Sequence, residues 1–273
     1  MPALGPNWYD GQRMFTRFFT NTTQFIKTHP RIDIAFLLVG LTIFGIVTFF
    51  NVDRASIWFD EAFSAYLMNF NLWEITKFTA TDVHPPFYYW VLKMWVLLFG
   101  TSDVAIRSMS IVLGMATISV AALLSRRLFG RKVAGLTLLF LILSPMLIRY
   151  SDEARMYTLA ALIVMSATYL LVKATESKRR LHWVLYGILV ALGMLTHYFT
   201  ALIWVAHCAW RAVMVRRSTS KTVSFKKRLF SKEWVIAYGV AVGVFLPWLP
   251  FMAIQLGTIQ GGGFWIGPVG VDT

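Results

Sequence analysis

The polar residues with chemical potential sit in five short islands of an otherwise apolar chain. The first is Trp58-Phe59-Asp60-Glu61-Ala62. Adjacent acids on a helix point in different directions, so they do not share one task. One can serve as a general base while the other orients it or caps the helix start. The bland alternative is a helix-start acid pair favoured by the helix dipole. The second island runs from Asp82 through His84-Pro85-Pro86 to Trp90. The prolines set the start of a helix, placing His84 just before its first turn, where an anion is favoured. Lys93, one turn further on, either snorkels to the interface or reaches a phosphate. The third is Arg107, a helix-end anchor or a bidentate ligand for a lipid phosphate.

The fourth island is Arg149-Tyr150-Ser151-Asp152-Glu153-Ala154-Arg155-Met156-Tyr157, wedged between two apolar runs. Ionisable groups at membrane depth are costly and are normally paired or functional. Glu153 and Arg149 have the spacing of a helical ion pair, which leaves Arg155 without a local partner. The fifth, Thr196-His197-Tyr198-Phe199, has the composition of a membrane interface. Cys208 is the single cysteine, so the chain has neither an internal disulfide nor a cysteine-based metal site. There is no P-loop and no Gly-rich dinucleotide fingerprint. Gly261–Gly263 reads as a flexible loop. No metal ligands and no definite cofactor are assigned; a divalent cation is left open.

The elements that must position these residues are membrane helices. Of 273 residues, 57% are hydrophobic and only 14% charged, against about a quarter charged in a soluble domain. The net charge of +13 does not signal nucleic acid, because the basic residues cluster between long apolar runs. Seven runs have the character of spans: Ile34–Phe50, Val104–Leu124, Val133–Ile148, Tyr157–Val172, Leu181–His197, Ala201–Val215 and Trp234–Leu256. The first lacks a cleavage site and reads as an uncleaved anchor. Pro85–Phe99 is ambiguous, and charge settles it. If it lies in the interface, most of the 26 Lys+Arg residues fall on the cytoplasmic side: Arg13–Arg31, Arg126–Lys132, Lys173–Arg180 and Arg211–Lys232. If it crosses, they face out, against the positive-inside tendency.

The chain is therefore expected to be an all-α integral membrane protein. Residues 1–32 form a cytoplasmic basic segment, 33–256 the transmembrane module with an outer loop at 51–103, and 257–273 an outer-face loop. The outer-face first loop contains juxtamembrane helices. Phe15, Phe18 and Phe19, near Arg13 and Arg17, suit either a helix lying on an anionic membrane surface or a disordered basic tail. Asn21-Thr22-Thr23 fits a glycosylation sequon but falls on the cytoplasmic side. With this threading, Asp60, Glu61, His84, Arg107, Asp152, Glu153, Arg155 and His197 share the outer side. An outward-facing active site accounts for that gathering.

The ordered set Phe59-Asp60-Glu61-Ala62, His84-Pro85-Pro86-Phe87-Tyr88-Tyr89, Leu98-Phe99-Gly100, Ala105-Ile106-Arg107, Arg127-Leu128-Phe129-Gly130, Ser144-Pro145, Tyr150-Ser151, Glu153-Ala154-Arg155-Met156-Tyr157 and Thr196-His197-Tyr198 resembles the bacterial and archaeal branch of the protein O-mannosyltransferase and aminoarabinose transferase family. The resemblance implies a GT-C-like multi-spanning module in the cell membrane. It also implies a donor sugar, mannose-like or another pentose or hexose, carried on a polyprenyl phosphate. The acceptor would be a glycan, lipid or protein hydroxyl, the reaction inverting, with membrane lipids as further partners and no nucleic acid. It maps the base to Asp60, beside Glu61, and the donor site to His84, Lys93, Arg107, Asp152, Glu153, Arg155, Tyr157 and His197. Arg107 and Arg155 are expected to approach each other around the phosphate. Two departures stand out. Relatives carry lysine where this chain has His84, and they usually continue with further helices, so this is expected to be either an N-terminal portion or a short relative. The alternatives are a non-catalytic lipid-phosphate-binding subunit and a lipid-linked sugar transporter, although no internal repeat is present.

The threading makes a direct prediction. Cysteines placed at Asn69, Glu153 and Gly262 should react with an impermeant thiol reagent from outside intact cells. Cysteines at Lys178 and Lys226 should react only after permeabilisation; strong outside labelling at either would reverse the assignment.

Overall fold

The computed structural model describes residues 30–54, 56–177, 179–217 and 224–261, and among them every regular element is helical. The proposed amino-terminal surface helix, the Asn21 sequon, Lys178 and the Gly262–Gly263 part of the glycine loop lie outside the described residues. The helices are α1 (Pro30–Asn51), α2 (Phe59–Leu67), α3 (Leu72–Ala80), α4 (Phe87–Phe99), α5 (Asp103–Phe129), α6 (Arg131–Ile142), α7 (Pro145–Ser151), α8 (Tyr157–Ser177), α9 (Arg180–Thr196), α10 (Thr200–Arg217), α11 (Phe225–Leu229), α12 (Lys232–Phe245) and α13 (Leu249–Gln260).

This is a multi-pass membrane protein. Four stretches are long and apolar enough to cross a bilayer: Asp33–Phe50, Asp103–Phe129, Tyr157–Ser177 and Lys232–Gln260. A fifth is the pair α6 and α7, bent by 59°. The sequence suggested one straight run there. Instead Ser144 caps α7 by accepting from the Leu147 N–H, and Pro145, lacking an N–H, starts the new helix. Two other expected spans differ. The helix α9 has 17 residues and counts only as a shorter apolar helix; α10 is diluted by His207, Arg211, Arg216 and Arg217. At 13 residues, α4 measures roughly 20 Å against a hydrocarbon layer of roughly 30 Å. Its length fits the expectation that it stops short of a crossing. The final helix also runs past the expected boundary at Leu256, ending at Gln260.

The stretch between α1 and α4, expected to hold juxtamembrane helices, folds as two short ones. Asn71 accepts from the Trp73 and Glu74 N–H groups while the Glu74 carboxylate accepts from the Asn71 N–H, a reciprocal cap that separates α3 from α2. Leu67, Ile75, Tyr88, Tyr89, Leu92, Ile106 and Met156 then form one buried cluster, so α2, α3 and α4 pack on the ends of α5 and α8.

Two layers of helices carry this cap. The long α5 packs against α1, α6 and α8, and α9 packs between α8 and α12. At Gly114 a Cβ would lie 2.4 Å from Ser151 Oγ, so the missing side chain lets α7 sit flush on α5. Gly187 plays the same part between α9 and α12, where a Cβ would fall 2.1 Å from the Ala237 carbonyl oxygen. Small residues at such contacts permit the close backbone approach that helix association in lipid depends on.

The two ends of the bundle differ in charge. On α5, Arg107 and Arg126 are separated by nineteen residues, or roughly 29 Å. At the far end Asp33 pairs with Arg126 and Arg131, and Glu176 pairs with Arg127. At the near end gather the acids and histidines of the first, second, fourth and fifth sequence islands.

Gly187→Ala should destabilise the protein, because the Ala237 backbone must move to admit the methyl group; overpacking of this kind costs about 1–3 kcal/mol. Gly239→Ala, on the same helix pair but with open space around its Cβ, should be neutral or slightly stabilising by helix propensity. Thermal unfolding in detergent distinguishes them, and equal melting temperatures for the two variants would contradict the packing.

Candidate active site

The first turn of α2 splits its two acids. Glu61 is completely buried, and both of its oxygens are taken by Arg107: Nε to Oε1 at 2.8 Å and Nη2 to Oε2 at 2.6 Å. The Ala154 N–H donates to the same Oε1 at 2.8 Å. Arg107 donates further to the carbonyls of Val52 at 2.7 Å and Ser56 at 3.3 Å. One ion pair thus joins the segment after α1, the start of α2, the start of α5 and the turn between α7 and α8. Arg107, expected at the donor phosphate, has its guanidinium bound by Glu61 and by two main-chain carbonyls, which makes it a clamp between these segments. Glu61 has no exposed surface.

Asp60 remains accessible. Its side chain is 26% exposed, and one carboxylate oxygen lies 3.3 Å from Arg155 Nη2. Arg155 is itself buried; its Nη1 donates to the Asp60 carbonyl at 3.2 Å and to the Tyr89 hydroxyl at 3.4 Å. Its Nε is buried with no hydrogen-bond partner. Arg155, lacking a partner in its own island, therefore finds one on α2. Arg107 and Arg155 each grip one of two consecutive acids.

A second group faces this pair. The rings of His84 and His197 are 5.7 Å apart, and Tyr157 stands 6.3 Å from His197 and 4.6 Å from Tyr150. His197 Nδ1 accepts from the Phe199 N–H at 3.2 Å, which assigns the proton of a neutral ring to Nε2. Burial, together with His84 and Arg155, holds the His197 pKa below its ordinary value, so the neutral ring is favoured. His84 Nδ1 lies 3.4 Å from Asp82. Burial alone would raise the Asp82 carboxyl, but its hydrogen bonds to His84 outweigh that and keep it low.

Asp152 caps the end of α7. Burial pushes its carboxyl up to about 6, opposed by Arg107 and aided by Glu153, and its Oδ1 is buried without a hydrogen-bond partner. Glu153 pairs with Arg149 at 3.2 Å, as its spacing suggested. Lys93 is not part of the group. Its ammonium donates to the Met68 carbonyl at 2.6 Å, holding α4 to the far end of α2.

Two contributors escaped the sequence reading. Tyr89 stands in the second island with no role assigned to it, yet its hydroxyl touches Arg155. Gln255, 2% exposed on α13, donates to the Thr79 carbonyl at 2.7 Å and the His84 carbonyl at 3.2 Å, and accepts from the Tyr198 hydroxyl at 2.5 Å. A single amide in the apolar run Trp234–Leu256 was the available signal.

The sequence model of the dolichyl-phosphate-mannose-protein mannosyltransferase family matches residues 83–251, more than half of the chain. The chain belongs to that family. It is a membrane glycosyltransferase of the GT-C type that uses a lipid-phosphate sugar donor. No curated protein and no solved structure matches the chain. In this mannosyltransferase-family chain the matched segment contains His84, Arg107, Asp152, Arg155, Tyr157 and His197. Asp60 and Glu61 precede it, and they join it through Arg107 and Arg155.

Glu61→Gln should be strongly destabilising, because it leaves a buried arginine without its counter-charge; breaking such a pair costs about 3–5 kcal/mol. Asp60→Asn should lower stability less, since its amide oxygen still accepts from Arg155. Unfolding temperatures in detergent measure both, and a Glu61→Gln protein as stable as wild type would refute the clamp.

Proposed function

We propose that the chain transfers a sugar from a polyprenyl phosphate to an acceptor hydroxyl at the outer membrane face, with inversion and with Asp60 as the base. The observation that carries this reading is the division between the two acids: Glu61 is consumed by Arg107, whereas the Asp60 carboxylate keeps an open side. The acceptor oxygen attacks the anomeric carbon as Asp60 takes its proton. The bond from that carbon to the phosphate oxygen breaks, and the polyprenyl phosphate leaves with the electron pair. The sugar passes through an oxocarbenium-like state, as in glycoside hydrolysis.

The leaving phosphate gains negative charge, which fixed donors nearby stabilise. Arg155 suits this task through the guanidinium that reaches the Asp60 carboxylate, and His197 through its Nε2 proton. His84 lies in the same group and is the third contact in this reading. Asp152, with a pKa raised towards neutrality, adds no full negative charge beside the phosphate near pH 6 and can donate to a sugar hydroxyl when protonated. Outward orientation is supported by the charge division of the two bundle ends. The basic end suits the cytoplasmic side, which sets the Asp60 group on the other.

The test is transfer of label from polyprenyl-phosphate sugars in membranes. With donor and acceptor saturating, Asp60→Asn should retain donor binding while turnover falls by about a hundredfold or more. Asp60→Glu should also be impaired, because the carboxylate is displaced. An Asp60→Asn enzyme with full turnover would end the assignment.

A further inference from the structure

A second charged feature lies at the end of the bundle away from Asp60. An open cavity of about 800 Å³ lies between the end of α10, the short helix α11 and the start of α12. Its cations are Arg211, Lys227, Arg228 and Lys232, and Met214 and Phe230 supply apolar surface. Among the described residues no carboxylate lines it; Glu233, the next residue along, acts electrostatically on Arg211.

Three other cations at this end are neutralised. Asp33 takes Arg126 and Arg131, and Glu176 takes Arg127. Among the described residues no ion pair reaches Arg211, Lys227 or Lys232. Arg211 is held in place: its Nη2 donates to the Arg228 carbonyl at 2.7 Å, and its guanidinium lies 5.8 Å from the Trp234 ring centroid. Its Nε is buried without a hydrogen-bond partner. This is a preset cation flanked by mobile-stemmed lysines, a combination suited to a phosphate diester.

The apolar half of the cavity selects the source of that phosphate. Phe230 is 64% exposed, and Met214 continues an exposed apolar face of α10 that includes Trp210 and Val213. A free phosphate has no use for such surface, whereas a lipid presents a charged head and acyl chains together. Basic pockets beside membrane helices are a recurrent means of holding anionic headgroups. We propose that this cavity is a binding site for the phosphate headgroup of an anionic membrane lipid, separate from the donor site. The lipid docks its phosphate against Arg211, Lys227 and Lys232 and lays its chains along α10.

The full-length protein, purified in a neutral detergent, can be titrated with phosphatidylglycerol and, separately, with phosphatidylcholine of the same acyl chains, bound lipid being read by native mass spectrometry. Wild type should bind phosphatidylglycerol saturably and at least tenfold more tightly than phosphatidylcholine. The double variant Lys227→Glu/Lys232→Glu, changed at exposed positions, should lose at least tenfold in affinity. Lys226→Glu, also exposed and on α11 but outside the lining, should change it less than twofold. A milder pair, Lys227→Gln/Lys232→Gln, should show an intermediate loss and guards against a folding defect in the charge reversal. Inorganic phosphate at millimolar concentration should not displace the lipid. Three results would overturn the proposal: equal affinity in wild type and both double variants, equal binding of the two lipids, or full displacement by inorganic phosphate.

Discussion

The buried pair of Glu61 and Arg107 is the constraint on which the rest of the site depends. Its partners are spread along the chain, from Val52 to Ala154. A carboxylate and a guanidinium removed from water are tolerated only when their remaining hydrogen-bonding capacity is also met. Here the carbonyls of Val52 and Ser56 and the Ala154 N–H supply part of it. That requirement fixes how α2 enters the bundle, and with it the direction in which the neighbouring Asp60 points. Asp60 is thus oriented by a bond it does not make.

The same economy recurs at Arg155. It is buried, contacts Asp60 through both its side chain and the Asp60 carbonyl, and keeps one nitrogen uncommitted. A cation wholly satisfied by protein has nothing to offer a ligand, and one wholly unsatisfied would be too costly to bury. Arg107 lies near the first limit and Arg155 between the two. Two arginines of identical chemistry therefore acquire different duties from their surroundings.

Much of this was legible in the sequence, for identifiable reasons. The segregation of Asp60, His84, Asp152, Arg155 and His197 to one end follows from charge counting, because each basic cluster marks a helix end. The pairing of Glu153 with Arg149 followed from helical spacing. The division of labour between Asp60 and Glu61 was not legible as geometry: their partners lie on α5 and beyond α7, and no local pattern encodes a contact over so many residues. The acceptor of Lys93, the Met68 carbonyl, was not legible either, because it is a backbone atom invisible to residue type. The break at Ser144-Pro145 and the Asn71-x-x-Glu74 cap carried readable local signals, but the long apolar and amphipathic runs around them dominated the reading.

Gln255 has a consequence for how this protein can vary. Its two donated bonds end on main-chain carbonyls, those of Thr79 and His84. A carbonyl is present whatever side chain its residue bears. The tie between the last described helix and the loop before α4 is therefore indifferent to identity on one side and demanding on the other. Position 84 can exchange its ring for a different side chain while the loop stays moored in the same place. The burden of spelling falls on a single amide remote in sequence, and the loop keeps its freedom to change what it presents to a ligand.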